Sequence, residues 1–388
     1  MAVTIWGTAS SWTLTALPLF VWMGEILFRT RLVRGHVQGT RAMARARCRD
    51  GLLHTNIIGC TIFAAVSGSS AATCATIGKM TLPELKSRGY PEDMTIGTLA
   101  GAGTLGLLIP PSIIMIVYGV SANVSIAHLF IAGVVPGLLL ALLFSGYIVA
   151  WALVHPDRVP ASRRADDAGA KIYASRHLIP VVLLIALVLG SIYAGIATAT
   201  EAAAFGVVGA LAISAVQGSL GWRTFRDSLL GATRLYCMIA LILAGAAFLT
   251  LAMGYIGLPR HLAEWIGGLG LSRLALIVAL MIFYIILGCF LDGISMVVLT
   301  MGVILPTVER AGIDLVWFGI FIVLVVEMAQ ITPPVGFNLF VLQGMTNRQI
   351  TWIARQALPM LYLMIVATLL IYFFPQLVTA LPHQMKFG

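Results

Sequence analysis

The sequence predicts an all-α integral membrane protein built from two inverted structural repeats, each with a re-entrant helical hairpin and a transmembrane helix broken by a proline pair. Three observations predict this. First, 60% of the 388 residues are hydrophobic and 10% charged, with mean hydropathy +0.98. The apolar runs approach the ~20 residues a helix needs to cross a bilayer, without the alternation of a membrane-spanning barrel. Second, the run 53–66 ends at Ser67-Gly68-Ser69-Ser70 and a second apolar run follows at once. Its 14 residues make about 21 Å of helix, too short to cross, so the chain dips in and turns back. Third, Pro83, Gly89, Pro110, Pro111 and Pro136 recur as Pro306, Gly312, Pro333, Pro334 and Pro359, every pair 223 positions apart. Paired interrupted segments in two halves point to the binding region of a secondary transporter.

The elements follow in order. Residues 12–28 form a first crossing, and Arg29, Arg31, Arg34, Arg41, Arg45, Arg47 and Arg49 place the next segment in the cytoplasm. The first hairpin occupies 53–78, a broken crossing 94–121 and a return crossing 126–153. The loop 155–177, with Arg158, Arg163, Arg164, Lys171 and Arg176, is again cytoplasmic. Crossings at 178–196 and 200–217 lead to Arg223 and Arg226, and a crossing at 229–253 starts the second copy from the opposite side. An amphipathic arm at 257–272, a second hairpin at 274–305, a broken crossing at 315–344 and a final crossing at 352–374 complete eight crossings and two hairpins. Residues 1–52 are assigned to scaffold helix and basic arm, 53–121 to transport half 1, 122–273 to scaffold, 274–344 to transport half 2 and 345–388 to the last scaffold helix and C-terminus. The helices at 178–196 and 200–217 have no counterpart before 12–28, so the repeat predicts two further apolar segments upstream.

The net charge of +9 resides in short loops, where it orients the chain rather than binding nucleic acid. Five cysteines lack disulfide or metal spacing and read as small buried residues. No phosphate-cradling or metalloprotease motif is present, so neither a nucleotide-driven pump nor an enzyme is expected. Chemistry concentrates at the tips and breaks. Ser67, Gly68, Ser69 and Ser70 offer hydroxyls and a flexible backbone suited to a hard monovalent cation, although small residues also serve close helix packing. Proline pairs remove backbone donors and free carbonyls one turn earlier, around Leu107 to Ile109 and Gln330 to Thr332. The acids bordering or inside apolar segments are Glu25, Glu201, Asp292 and Glu327. Intramembrane acids mark function by default. Glu201 also fits a capping box with Thr198, Glu25 the cytoplasmic interface, Asp292 stands at the second tip, and Glu327 precedes the polar cluster Gln330, Thr332 and Asn338.

The stretches AVSGSSAATCATIG from Ala65, IPPSIIMIVYG from Ile109, TATEAAA from Thr198 and QITPPVGFNLFVLQ from Gln330 closely resemble the large membrane subunit of tripartite ATP-independent periplasmic (TRAP) transporters. The resemblance covers about 17–374. Ala199 departs from it, standing where the family has proline. The resemblance implies a multi-pass inner-membrane permease of ion-transporter-like fold and elevator motion, importing organic acids such as C4-dicarboxylates or sugar acids with sodium as coupling ion. A small membrane subunit and a periplasmic substrate-binding protein are the implied partners. Carried onto this chain, one sodium site takes Ser67, Gly68, Ser69 and Ser70 with Gly103, Leu107 and Ile109. The other takes Asp292 and Gly293 with Thr332, Pro333 and Gly336. Ser70, Ser112, Gln330 and Asn338 are the expected substrate contacts. The alternative is a stand-alone ion-coupled anion symporter or antiporter of related architecture. Family members also carry two further apolar segments before the stretch that matches 17–24.

Overall fold

The computed structural model describes residues 6–7, 12–29, 52–160 and 179–385. The arginines expected to fix orientation at 31–49, and Arg163, Arg164, Lys171 and Arg176, lie outside the described residues. The described chain is helical throughout. A 3₁₀ turn, Trp12–Thr15, leads into α1 (Ala16–Arg29); Pro18 falls in its first turn, where backbone N–H groups have no helical acceptor to lose. The first hairpin is α2 (His54–Ser67) and α3 (Ser70–Ser87). The first broken crossing is α4 (Glu92–Leu108) and α5 (Ile113–Ala122), bent by 43°. The return is α6 (Ile126–Val154).

Next come α7 (Ile179–Tyr193), α8 (Ala199–Val216), α9 (Trp222–Ile256) and the amphipathic arm α10 (Leu258–Gly268). The second hairpin is α11 (Arg273–Gly288) with α12 (Gly293–Arg310), and the second broken crossing α13 (Leu315–Gln330) with α14 (Phe337–Thr346). The chain closes with α15 (Ile350–Phe373) and a short α16 (Gln376–His383).

Several boundaries differ from expectation. Helix α3 runs on to Ser87 through Pro83, because a helix leaving the hydrocarbon can continue with polar side chains that carry no apolar signal. For the same reason α9 starts at Trp222 and has 35 residues, about 52 Å. Helix α16 was not expected. By length and apolarity, α6, α8, α9, α12 and α15 could each cross alone, and α4–α5 could as a bent pair. The other predicted crossings, α1, α7 and α13–α14, are shorter as single helices, whereas the hairpin arm α12 is long enough. Length alone therefore does not separate arm from crossing. Among the cysteines, Cys60, Cys74 and Cys289 are buried as expected, but Cys237 is exposed; Cys48 lies outside the described residues.

The core is formed by the first segments of the two broken crossings. From Met94 to Leu108 every residue of α4 is buried, and so is every residue of α13 from Trp317 to Gln330. Their sequences do this differently. In α4, TIGTLAGAGTLG gives a surface of glycine, alanine and threonine onto which neighbours close tightly, the packing mode favoured where lipid removes the hydrophobic drive between helices. A side chain at Gly97 would strike the Gln356 backbone of α15, and one at Gly101 would lie 2.5 Å from Met360. In α13, WFGIFIVLVVE fills space with large apolar groups. Helices α2, α3, α6, α13 and α15 surround α4, while α1 packs mainly on α8 and α9 and touches this core at Val66 of α2 and Phe130 of α6. Only 17% of the α9 span is buried within the chain.

Candidate transport site

The first tip is built by two short-range devices. Gly68, at φ +58°, takes the left-handed conformation that ends α2 and gives its N–H to the Ala64 carbonyl. Ser69 then caps α3, its hydroxyl facing the Ala72 N–H at 3.5 Å. Below the tip, the Ser67 Oγ and Thr73 Oγ1 lie 2.6 Å apart, and the Thr73 hydroxyl donates to the Ser69 carbonyl at 2.8 Å. Thr73 had no prominence in the sequence; its place one turn after the tip is the signal that could have found it.

The tip faces the first break. A Cβ on Gly68 would lie 3.2 Å from the Pro111 carbonyl, and one on Gly106 would lie 2.5 Å from the Ser69 carbonyl. Gly103 meets the side chain of Cys74 on α3 and the Asn338 amide. Helix α4 ends with the Ile109 N–H bonded to Leu105. Pro110 and Pro111 have no N–H, so the carbonyls of Gly106 and Leu107 lose their donors. Ser112 sits at the N-cap of α5, fully buried, yet its hydroxyl makes no cap bond and has no partner.

The second tip repeats the plan with other residues. Asp292 caps α12, its Oδ2 accepting from the N–H groups of Ile294 and Ser295 at 3.1 and 3.2 Å. The Cys289 thiol donates to the Pro333 carbonyl at 3.1 Å, tying this hairpin to its own break. There the Thr332 N–H closes on Ala329 and its hydroxyl on Met328 at 2.7 Å. Gly336, at φ +33°, starts α14 with its Cα facing the Gln330 carbonyl. The proline pairs of both breaks contain a cis peptide bond, Pro110–Pro111 and Pro333–Pro334.

Contacts between the halves tie each tip to the broken helix of the other half. The Ser70 hydroxyl donates to Asn338 Oδ1 at 2.9 Å, a buried bond, leaving Asn338 Nδ2 without a partner. In the opposite sense, Gly293 lies against Val326 and against Ile114 of α5. Ser70 and Gly293 are 223 positions apart, so matched tip residues each reach the second segment of the other half's broken helix. The structure thus brings together Ser67, Gly68, Ser69, Ser70, Gly103, Ile109's turn and Asn338 at one tip. At the other it gathers Asp292, Gly293, Gln330 and the Thr332–Gly336 turn. Glu25 and Glu201 are elsewhere: Glu25 pairs with Arg29 at 2.8 Å, and Glu201 completes the capping box with Thr198.

Two interrupted helices meeting two hairpin tips in inverted halves define the membrane subunit of a secondary transporter. Over residues 1–377 the sequence matches the family described as the tripartite ATP-independent periplasmic transporter, DctM component, and the chain belongs to that family. It is a multi-pass inner-membrane permease subunit, not an enzyme. A C4-dicarboxylate TRAP transporter large permease of Pseudomonas aeruginosa is 33% identical over 390 residues, covering 99% of this chain and 90% of that protein. The isethionate TRAP transporter permease DctMQ of Oleidesulfovibrio alaskensis is 32% identical over 368 residues, covering 94% of this chain and 57% of that protein. Among solved structures, the YdaH transporter of Alcanivorax borkumensis shares the fold, with TM-score 0.70 and 13% identity over 97% of this chain and 89% of that one.

Proposed function

We propose that this chain is the permease of a sodium-coupled, binding-protein-dependent importer of small organic acids, working with a small membrane subunit and a periplasmic substrate-binding protein. One observation carries the reading: oxygen-rich tips close on proline-broken helices, and around that junction the Ser112 hydroxyl and Asn338 Nδ2 are buried without partners. Buried polar groups are normally satisfied, and those that are not need a partner such as a bound ion, substrate or water. The donor set fits sodium, which takes hydroxyl, carbonyl and carboxylate oxygens. Ser67, Gly68, Ser69 and Ser70 with Gly103, Leu107 and Ile109 form the first ion site. Asp292, through the oxygen its cap leaves free, and Gly293 with Thr332, Pro333 and Gly336 form the second. Ser70, Ser112, Gln330 and Asn338 hold substrate between them, with the ions offsetting its negative charge. The core moves as an elevator against the remaining helices. The C4-dicarboxylate and isethionate relatives support a small organic anion as substrate, and the two-in-one name of the second supports a small-subunit partner.

The test is uptake in proteoliposomes containing the permease with its small subunit. Accumulation should need an inward sodium gradient and the loaded binding protein. Downhill flux indifferent to sodium would overturn the ion coupling, and accumulation without the binding protein would favour the stand-alone symporter.

A further inference from the structure

Glu327 is the only charged side chain buried among the described residues; it is 0% exposed, and no side chain hydrogen-bonds or pairs with its carboxylate. It extends from α13 in the second half, and the groups its carboxylate reaches are backbone, at Leu107 and Leu108 in the first. This is the last turn of α4, the same turn whose Gly106 receives the Ser69 carbonyl of the first tip. The position 223 residues earlier is Thr104, whose hydroxyl is bonded to the Gly101 carbonyl of its own helix at 2.7 Å. The repeat therefore does not require an acid here, and the second half alone supplies one.

A lone buried carboxylate costs several kcal/mol even after relaxation. It is retained where something of opposite charge comes to meet it. No buried Lys, Arg or His is available among the described residues. What adjoins it is the end of α4, where proline has removed the donors of two carbonyls, with a serine-rich tip one residue away. A cation held there would meet neutral oxygens on the side of the first half and one full charge from the second.

We propose that Glu327 is the anionic ligand of the first ion site, lent across the repeat to the end of α4. This rests on the sodium reading above and adds to it a named charge. It also gives a reason for the two halves to be locked together while the ion is bound.

The test is thermal unfolding of the purified full chain in a NaCl series held at constant ionic strength with KCl, so that stabilisation reports ion binding and not transport. Wild type should gain stability with sodium but not potassium. Glu327→Gln, similar in size but uncharged, should raise the half-saturating sodium concentration at least about tenfold, the loss of one charged contact. Thr104→Ala, at the matching position, should leave it unchanged. If Glu327→Gln does not fold, Glu327→Asp decides, since it keeps the charge but withdraws it by one methylene: a half-saturation raised about threefold or more supports the assignment, and a wild-type value overturns it. A glutamine variant with wild-type sodium stabilisation also overturns it. Absence of sodium-specific stabilisation in wild type itself would instead bring down the underlying sodium reading, and this ligand with it.

Discussion

The two halves share a backbone plan and differ in chemistry. Ser69 and Asp292 occupy matching positions, 223 apart, and both cap the second arm of their hairpin. One does so with a hydroxyl, the other with a carboxylate that satisfies two amides through one oxygen. Gly106 and Ala329 are likewise matched. In the first half the glycine is on the broken helix, under the tip; in the second it is on the hairpin, where Gly288 meets Ala329. Thr104 matches Glu327. The lesson is that duplication preserved where the chain must bend and pack closely, while the groups that set local charge diverged into a neutral half and an acidic half.

The sharpest way to break the comparison is at the matched glycine and alanine. Gly106→Ala puts a methyl 2.5 Å from the Ser69 carbonyl, and backbone cannot yield as a flexible side chain would; about 1–3 kcal/mol of stability should be lost. Ala329→Gly only opens space beside Gly288 and should cost about 0.5–1 kcal/mol. Thermal unfolding in detergent compares them, and equal losses would show that the halves pack alike.

Next in size is the bond between halves. Asn338→Ala strands the buried Ser70 hydroxyl and should cost about 1–3 kcal/mol, with uptake falling alongside; adding Ser70→Ala should recover part of the stability but none of the uptake. Full recovery of uptake in the double variant would make the pair purely structural.

A finer probe exchanges the caps. Asp292→Ser keeps a capping side chain, so stability should change by only a few tenths of a kcal/mol up to about 1, whereas sodium half-saturation for uptake should rise severalfold. If sodium dependence is unaltered, Asp292 is a cap and nothing more.

Smallest of all is the surface pairing at the end of the core, where Arg348 meets Glu92 at 2.6 Å with both side chains about half exposed. Arg348→Ala should cost at most about 1 kcal/mol, diminishing with added salt; a larger, salt-independent loss would place this pair in the packing of the core.

Much of this was legible because proline and glycine constrain backbone directly. Gly68, Pro110–Pro111 and Pro333–Pro334 announce a turn or a break wherever they stand, and their constant offset reveals the duplication. The capping box at Thr198 and Glu201 is equally local. Contacts such as Ser70 with Asn338, or Gly293 with Ile114, were not legible, since nothing in either stretch names a partner more than 150 positions away. Asp292 shows a subtler limit: its acid drew attention as chemistry, yet its place opposite Ser69 in the repeat already held the clue that it caps a helix. The polar ends of α3 and α9 escaped because hydropathy reports where a helix meets lipid and not where it ends.

The Ser70–Asn338 bond spans 268 positions, and this separation governs how the protein is made. At synthesis rates of roughly 5–20 residues per second, the first hairpin waits on the order of ten seconds to a minute before its acceptor emerges. Through that interval the polar tip lies in the membrane with its lasting partner still untranslated. A ribosome halted before α14 would therefore leave the first half inserted but uncommitted, its serines turned toward whatever water or assembly factor reaches them. The buried bond between the halves forms only once the second half has arrived.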